Sequence, residues 1–257
     1  MTSVDAAGRF LDPMPRLEKM GDVARLAIDP GERRAERARA KADIREHHYI
    51  PLEVVEDMRG HADHVEPHET SIIWAYGLDW RPAPVFQDYA IVSNTLDRHN
   101  AAALRGPGRP ERILRHAGSR IDSHSPEGEG PEQLLAMICD YRPTVAVPGW
   151  LVLRPAPSRC GPERPIVTLT ARAGQEIPIP PSPGPHDMVL ARLDIPVPLL
   201  QRLRTALYKP RELPEVYFSP ELRYRIPVDV AAGPLLMRVP PDIGWPEYAE
   251  GLPYRTV

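Results

Sequence analysis

Proline occupies 33 of the 257 positions, roughly two to three times ordinary usage. Its ring removes an amide donor and clashes with the preceding turn, so it breaks helix interiors and is tolerated in sheets only at edges, bulges and strand starts. A chain punctuated this densely is expected to fold into many short elements joined by stiff turns rather than into long bundles. The same punctuation leaves no apolar run near the roughly 20 residues that a membrane helix needs, the longest lying around residues 144–153. The length suffices for one large domain or two modest ones with a sizeable core. With 32 Lys plus Arg against 35 Asp plus Glu the formal charge is -3, so net charge gives no reason to expect a nucleic-acid partner. The start, MTSVDAAGRFLDP, has neither the basic region nor the apolar stretch of a secretory signal. A location outside the cytoplasm would depend on segments beyond this sequence.

Three regions differ in pattern, and together they predict an α+β protein. Residues 1–50 form an N-terminal surface helical segment, loosely ordered before Leu17. Within it residues 31–48 are strong helix formers without proline. Asp29 and Pro30 make a start for that helix, and thin apolar cover from Ala35, Ala38, Ala42 and Ile44 predicts docking by small residues. Residues 51–160 alternate short helical patterns (51–59, 69–76, 93–104, 131–140) with short strand patterns (61–66, 84–89, 111–116, and a pair flanking the turn at Pro148 and Gly149). Such alternation predicts a small α/β layered domain. Residues 161–257 carry evenly spaced β-branched or apolar runs at 166–169, 176–179, 188–195, 215–218, 224–226 and 235–239. They predict a β-sandwich or jelly-roll-like domain, interrupted by one short amphipathic helix at 199–207.

The only cysteines are Cys139 and Cys160. A disulfide between them would close a loop of about 20 residues, contributing about 3 kcal/mol on the chain-entropy account, and would imply an oxidising compartment. Cys160 sits in the polar turn Ser158-Arg159-Cys160-Gly161-Pro162, an unusual place for a lone core cysteine; two buried free thiols are the alternative. His61, His64, His68 and Glu69 have zinc-like spacing only if helical, and Pro67 breaks that helix, so no metal site is expected. No Walker phosphate loop, dinucleotide fingerprint or Gly-x-Ser-x-Gly elbow is present, and no cofactor is signalled.

Polar and aromatic residues concentrate between Glu69 and Asn100. Glu69, Trp74, Trp80, Arg81, Gln87, Tyr89, Asp97 and Asn100 are the ligand-binding candidates. Tryptophan and tyrosine planes stack on sugars or other flat apolar faces, and polar groups at strand ends and helix starts line clefts. The plainer reading has the aromatics anchoring the small domain and the charges pairing at its rim. Glu69 with Asp97 would be the carboxylate pair of a carbohydrate-active enzyme; no catalytic residue is assigned. Farther on, Arg192, Arg202, Arg204, Lys209, Arg211, Arg223 and Arg225 with Asp194 and Glu212 form the densest charged set. They suit anionic lipid headgroups or an acidic polymer, or ordinary surface salt links.

The stretch HVEPHETSIIWAYGLDWRPAPVFQDYAIVSNTLDRHNAAAL resembles a segment of large, uncharacterised polytopic membrane proteins of actinobacteria and other bacteria. Those proteins resemble membrane-embedded glycosyltransferases and carry a soluble extracytoplasmic part after their last membrane helices. The resembling steps include Val65-Glu66-Pro67, Ala75-Tyr76-Gly77-Leu78, Trp80-Arg81-Pro82, Pro84-Val85-Phe86-Gln87, Leu96-Asp97, Asn100-Ala101, Tyr141-Arg142, Cys160-Gly161 and Leu207-Tyr208-Lys209-Pro210. The pattern departs at Asp88, Ile91, Val92 and Ser123-His124. The resemblance implies an extracytoplasmic domain of a cell-envelope membrane protein, attached to membrane segments absent from this chain, and it supports the Cys139–Cys160 bridge. It supplies no catalytic residue. The function expected is non-catalytic binding of a glycan, a lipid-linked sugar or a partner. The alternatives are a carbohydrate-active envelope enzyme and a purely structural assembly module.

Overall fold

A computed structural model of the chain describes residues 23, 25–117, 126–172, 175–207, 212–216 and 223–248. The expectations for residues before Leu17, for Ser123-His124, and for Lys209 and Arg211 lie outside the described residues. The chain divides into two units, Met1–Tyr49 and Ile50–Val257.

In the first unit, helix α1 (Pro30–His47) begins where the sequence places it. The Asp29 side chain accepts from the Gly31 and Glu32 amides, and Pro30 fills the first turn, where no amide donor is needed. No residue of α1 is buried.

The second unit is built on a five-stranded mixed sheet, in the order β2 (Asp79–Trp80), β1 (Ala62–Glu66), β3 (Arg112–His116), β5 (Trp150–Pro155) and β4 (Tyr141–Val147). Helix α2 (Leu52–Met58) leads into β1 (Ala62–Glu66), and helix α3 (Ser71–Tyr76) leads into the two-residue edge strand β2 (Asp79–Trp80). Gly60 and Gly77 follow the two helices at φ 79° and 70°, left-handed backbone that a residue with a Cβ adopts only under strain. A single 3-10 turn (Asp88–Ala90) precedes α4 (Asn94–Arg105), whose start is capped by Ser93 Oγ accepting from the Leu96 amide. Strand β3 (Arg112–His116), helices α5 (Pro126–Glu129) and α6 (Pro131–Asp140), and the hairpin β4 (Tyr141–Val147) and β5 (Trp150–Pro155) complete the sheet and its cover. β1 pairs parallel with both β2 and β3, whereas β3–β5 and β5–β4 are antiparallel.

Both faces of the sheet are covered. Val65, Leu114 and Val152 pack with Val54, Val55, Met58, Ile72 and Ile73 of α2 and α3. Ile113, Leu151 and Leu153 pack on the opposite face with Leu104 of α4, Leu134, Met137 and Ile138 of α6, and the C-terminal residues Leu236, Trp245 and Tyr248. Burying such side chains contributes about 1.5–3 kcal/mol each.

The strand expected at 84–89 does not form. The ladder groups of Val85 are taken by a side chain: its amide donates to Asn100 Oδ1 (2.8 Å) and its carbonyl accepts from Asn100 Nδ2 (2.8 Å). In the C-terminal region, β6 (Val189–Ala191) pairs with β9 (Leu235–Arg238), and β7 (Glu212–Val216) pairs with β8 (Arg223–Pro227). Helix α7 (Leu199–Leu207) lies where the sequence places it, and α8 (Val228–Ala231) links β8 to β9. The described residues thus pair as two separate two-stranded ladders, and the facing sheets of a sandwich or jelly roll are not seen among them. Residues 166–169 have strand composition but no ladder, and prolines at 178, 180, 181, 183 and 185 withdraw donors from the next stretch. Among the described residues no helix is long and apolar enough to cross a membrane.

Candidate functional site

Strand β1 lies between β2 and β3 with both of its faces covered, so its polar residues from Asp63 to Glu66 are buried. His64 and Glu66 alternate onto the face that meets α4 and α6, opposite Ile113 and Arg115 of β3. His64, Glu66, Asp97 and Asn100 are each 0 % exposed, with Asp88 at 3 % and Gln133 at 1 %. Buried polar groups at this density persist only when they satisfy one another.

Gln133 of α6 is the hub. Its amide nitrogen donates to Glu66 Oε1 and to Asp88 Oδ1 (3.0 Å), while its carbonyl accepts from Asn100 Nδ2. His64 Nε2 lies 2.7 Å from Glu66 Oε1, and His64 Nδ1 accepts from the Ala83 amide (3.4 Å). With Nδ1 accepting, the proton belongs on Nε2, and the imidazole donates to Glu66. Arg115 approaches Glu66 Oε2 at 4.0 Å, with its guanidinium 5.2 Å over the Trp245 ring. Asp97 reaches from α4 to the start of α6, accepting from the Glu132 (2.8 Å) and Gln133 (2.9 Å) amides. It therefore caps a helix other than its own. Gly130 makes room for this contact, because a Cβ there would lie 2.9 Å from Ile91 Cδ1 and 3.3 Å from Asp97 Oδ1.

Burial sets the protonation states. It pushes His64 down to about 4, so the imidazole is neutral at pH 7. Burial also raises Glu66, and raises Asp88 well above the ordinary carboxylate range, where the Glu66 charge and the hydrogen bond that Asp88 donates to Glu66 add to it. The two carboxyls titrate as a coupled pair, with both held above the ordinary carboxylate range by burial. Asp97 is pushed up to about 7 by burial, against the pull of its two amide donors. On the other face of β1, Asp63 is pushed up to about 7 by burial and by the Asp79 charge. Perturbed carboxyls of this kind are what an active site uses, but none of these groups meets solvent. Two cavities lie away from these groups: one of about 280 Å³ beside Pro148, Trp150 and Pro246, and a groove of about 1790 Å³ flanked by Arg109, Ile138, Arg159, Ile166 and Met188.

The eight candidates from the sequence separate into two sets. Asp97 and Asn100 belong to the buried network. Trp74, Trp80 and Tyr89 are exposed at 44, 47 and 36 %, Arg81 is exposed, and Glu69 and Gln87 are half-buried. Trp80 meets Phe86 edge to face with centroids 5.4 Å apart, and the Arg81 Nη1 donates to the Gly108 carbonyl (3.4 Å). Tyr89 stands against His68 (6.1 Å), and His68 Nε2 lies 3.2 Å from Glu69 Oε1. Glu69 and Asp97 share no contact among these. The histidines with zinc-like spacing take separate carboxylates: His61 with Glu111, His64 with Glu66, His68 with Glu69. Nothing in the sequence around Gln133 or Arg115 marks them as members of this network. The available signal was His64 and Glu66 two apart on a strand, which places two ionisable groups on one face.

Cys139 and Cys160 form a disulfide, with Cα atoms 5.3 Å apart. It joins the end of α6 to the exposed segment at 161–172, on the wall of the larger groove. No protein-family model, curated protein or solved structure matches the chain.

Proposed function

We propose that this chain is a non-catalytic, extracytoplasmic binding domain of a cell-envelope membrane protein, taking a glycan or lipid-linked sugar on its exposed aromatic surface. The observation that carries the reading is the edge-to-face pair of Trp80 and Phe86, exposed at 47 and 39 %, beside the polar side chains of Arg81 and Gln87. Exposed ring faces with neighbouring donors are what a sugar needs, stacking for its C–H face and hydrogen bonds for its hydroxyls. The sealing of the perturbed carboxyls supports binding over catalysis, because a general acid must reach the substrate proton. A disulfide between the only two cysteines supports an oxidising compartment.

The test is calorimetric titration of protein purified without reductant with short envelope glycans, on the wild type and on Trp80→Ala. The reading expects saturable binding that weakens about 10-fold in the variant, equivalent to roughly 1.4 kcal/mol. Absence of binding across the glycan panel, or binding indifferent to Trp80→Ala, contradicts it.

A further inference from the structure

Helix α7 stands out because its apolar side faces solvent. Leu199, Leu200, Leu203 and Leu207 are exposed at 74, 81, 55 and 86 %. At 100° per residue these four fall within an arc of about 100°, and Arg202 and Arg204 fall on either side of that arc. Both arginines are exposed; Arg202 Nε also donates to the Val197 carbonyl at the helix start (3.2 Å). The sequence from 195 to 207 contains no acidic residue. From these features we infer that α7 is a membrane-interface helix, which lays its four leucines into the acyl boundary of an anionic bilayer while Arg202 and Arg204 reach lipid phosphates.

Three considerations favour a lipid surface as the occupant. Exposed leucines four deep on one stripe are unfavourable in water, and they gain most from a continuous apolar phase. Cationic side chains with long methylene stems on both flanks of a leucine stripe are placed to snorkel, stems along the apolar layer and guanidinium groups at phosphate level. The helix is also too small for a stable protein interface. Nine residues span about 13 Å, which makes a face on the order of a few hundred Å², against about 800 Å² per partner in a typical stable complex. One short helix gives weak, reversible docking, suited to orienting a domain that is tethered by other means. The inference stands apart from the aromatic surface, since it uses neither Trp80 nor Phe86.

Sedimentation of the full chain with sucrose-loaded vesicles tests it. Vesicles of phosphatidylglycerol with phosphatidylcholine are compared with phosphatidylcholine alone, at low and at about 0.5 M salt, where screening is short-ranged. Wild type is expected to bind the anionic vesicles and to release in high salt. Leu203→Glu with Leu207→Glu is expected to lose at least 100-fold. Arg202→Ala with Arg204→Ala is expected to lose about 5-fold for each arginine, and Arg154→Ala, an exposed arginine of β5, to stay within 2-fold. All substituted positions are exposed, so far-UV circular dichroism and Tm should match wild type. Failure of the wild type to bind anionic vesicles at low salt overturns the inference, as does binding that survives the double glutamate variant. A dimer in solution that the glutamates dissociate, without vesicle binding, would assign the stripe to a second copy instead. The vesicles contain no sugar, so this result and the glycan titration fail independently.

Discussion

The interior between β1, α4 and α6 and the segment from 156 to 207 use polar and apolar residues in opposite ways. Inside, His64, Glu66, Asp88, Asp97, Asn100 and Gln133 are buried, and hydrogen bonds among their side chains and to backbone amides compensate most of their polar atoms in a low-dielectric setting, while Glu66 Oε2 has Arg115 at 4.0 Å. Outside, Ile166, Val167, Leu169 and the leucines of α7 are about half or more exposed, in a proline-rich stretch with few ladder bonds. On the proposed reading, the buried polar network serves stability, and the exposed aromatic and apolar side chains make the contacts.

The contrast can be broken from the inside first. Gln133→Ala leaves Glu66, Asp88 and Asn100 short of partners in a sealed site, and is expected to cost about 3–5 kcal/mol in urea unfolding. Replacing both Cys139 and Cys160 with serine releases the loop between them, 21 positions apart in sequence. The expected loss is about 3 kcal/mol, and reduction of the wild type should match it. Asp97→Ala removes the cap that α4 supplies to α6, with an expected loss of about 1–2 kcal/mol.

Stability should also depend on pH with a definite sign. A carboxyl raised in the folded state binds its proton more tightly there than in the unfolded chain. Its contribution is complete below the ordinary carboxylate range and is lost as pH rises through the folded value, about 7 for Asp63 and Asp97. Glu66 and Asp88 act in the same direction. His64, lowered to about 4, acts oppositely, removing stability as pH falls from its ordinary value toward 4. Four carboxyls outweigh one imidazole, so Tm should rise between about pH 8 and about pH 5.5, and Asp88→Asn should flatten the slope. The smallest effect on stability belongs to Trp80→Ala, within about 0.5 kcal/mol as for exposed sites in general.

Elements whose ends are marked locally were legible in the sequence. Asp29 and Pro30 start α1, Pro131 starts α6, and Gly60 and Gly77 follow α2 and α3, because caps, proline and left-handed glycine act within a turn. The hairpin at Pro148 and Gly149 was legible for the same reason. Pairing over long distances was not: nothing near Trp80 announces that β2 joins β1 in parallel, and nothing near Ile166 announces that its β-branched run stays unpaired. Asp97 and Asn100 stand out in the sequence as polar residues beside aromatic ones, yet an open cleft and a closed network ask for the same side chains. Only Gln133, from a helix 33 residues beyond Asn100, decides between them.

The most direct test sets Trp80→Ala against Asp88→Asn in one experiment, titrating both with short envelope glycans and measuring Tm for each. The account predicts that Trp80→Ala loses about 10-fold in affinity at unchanged Tm, whereas Asp88→Asn changes the pH profile of Tm at unchanged affinity. Loss of glycan binding in a folded Asp88→Asn protein, with Trp80→Ala binding like wild type, would place the working site in the buried network and contradict it.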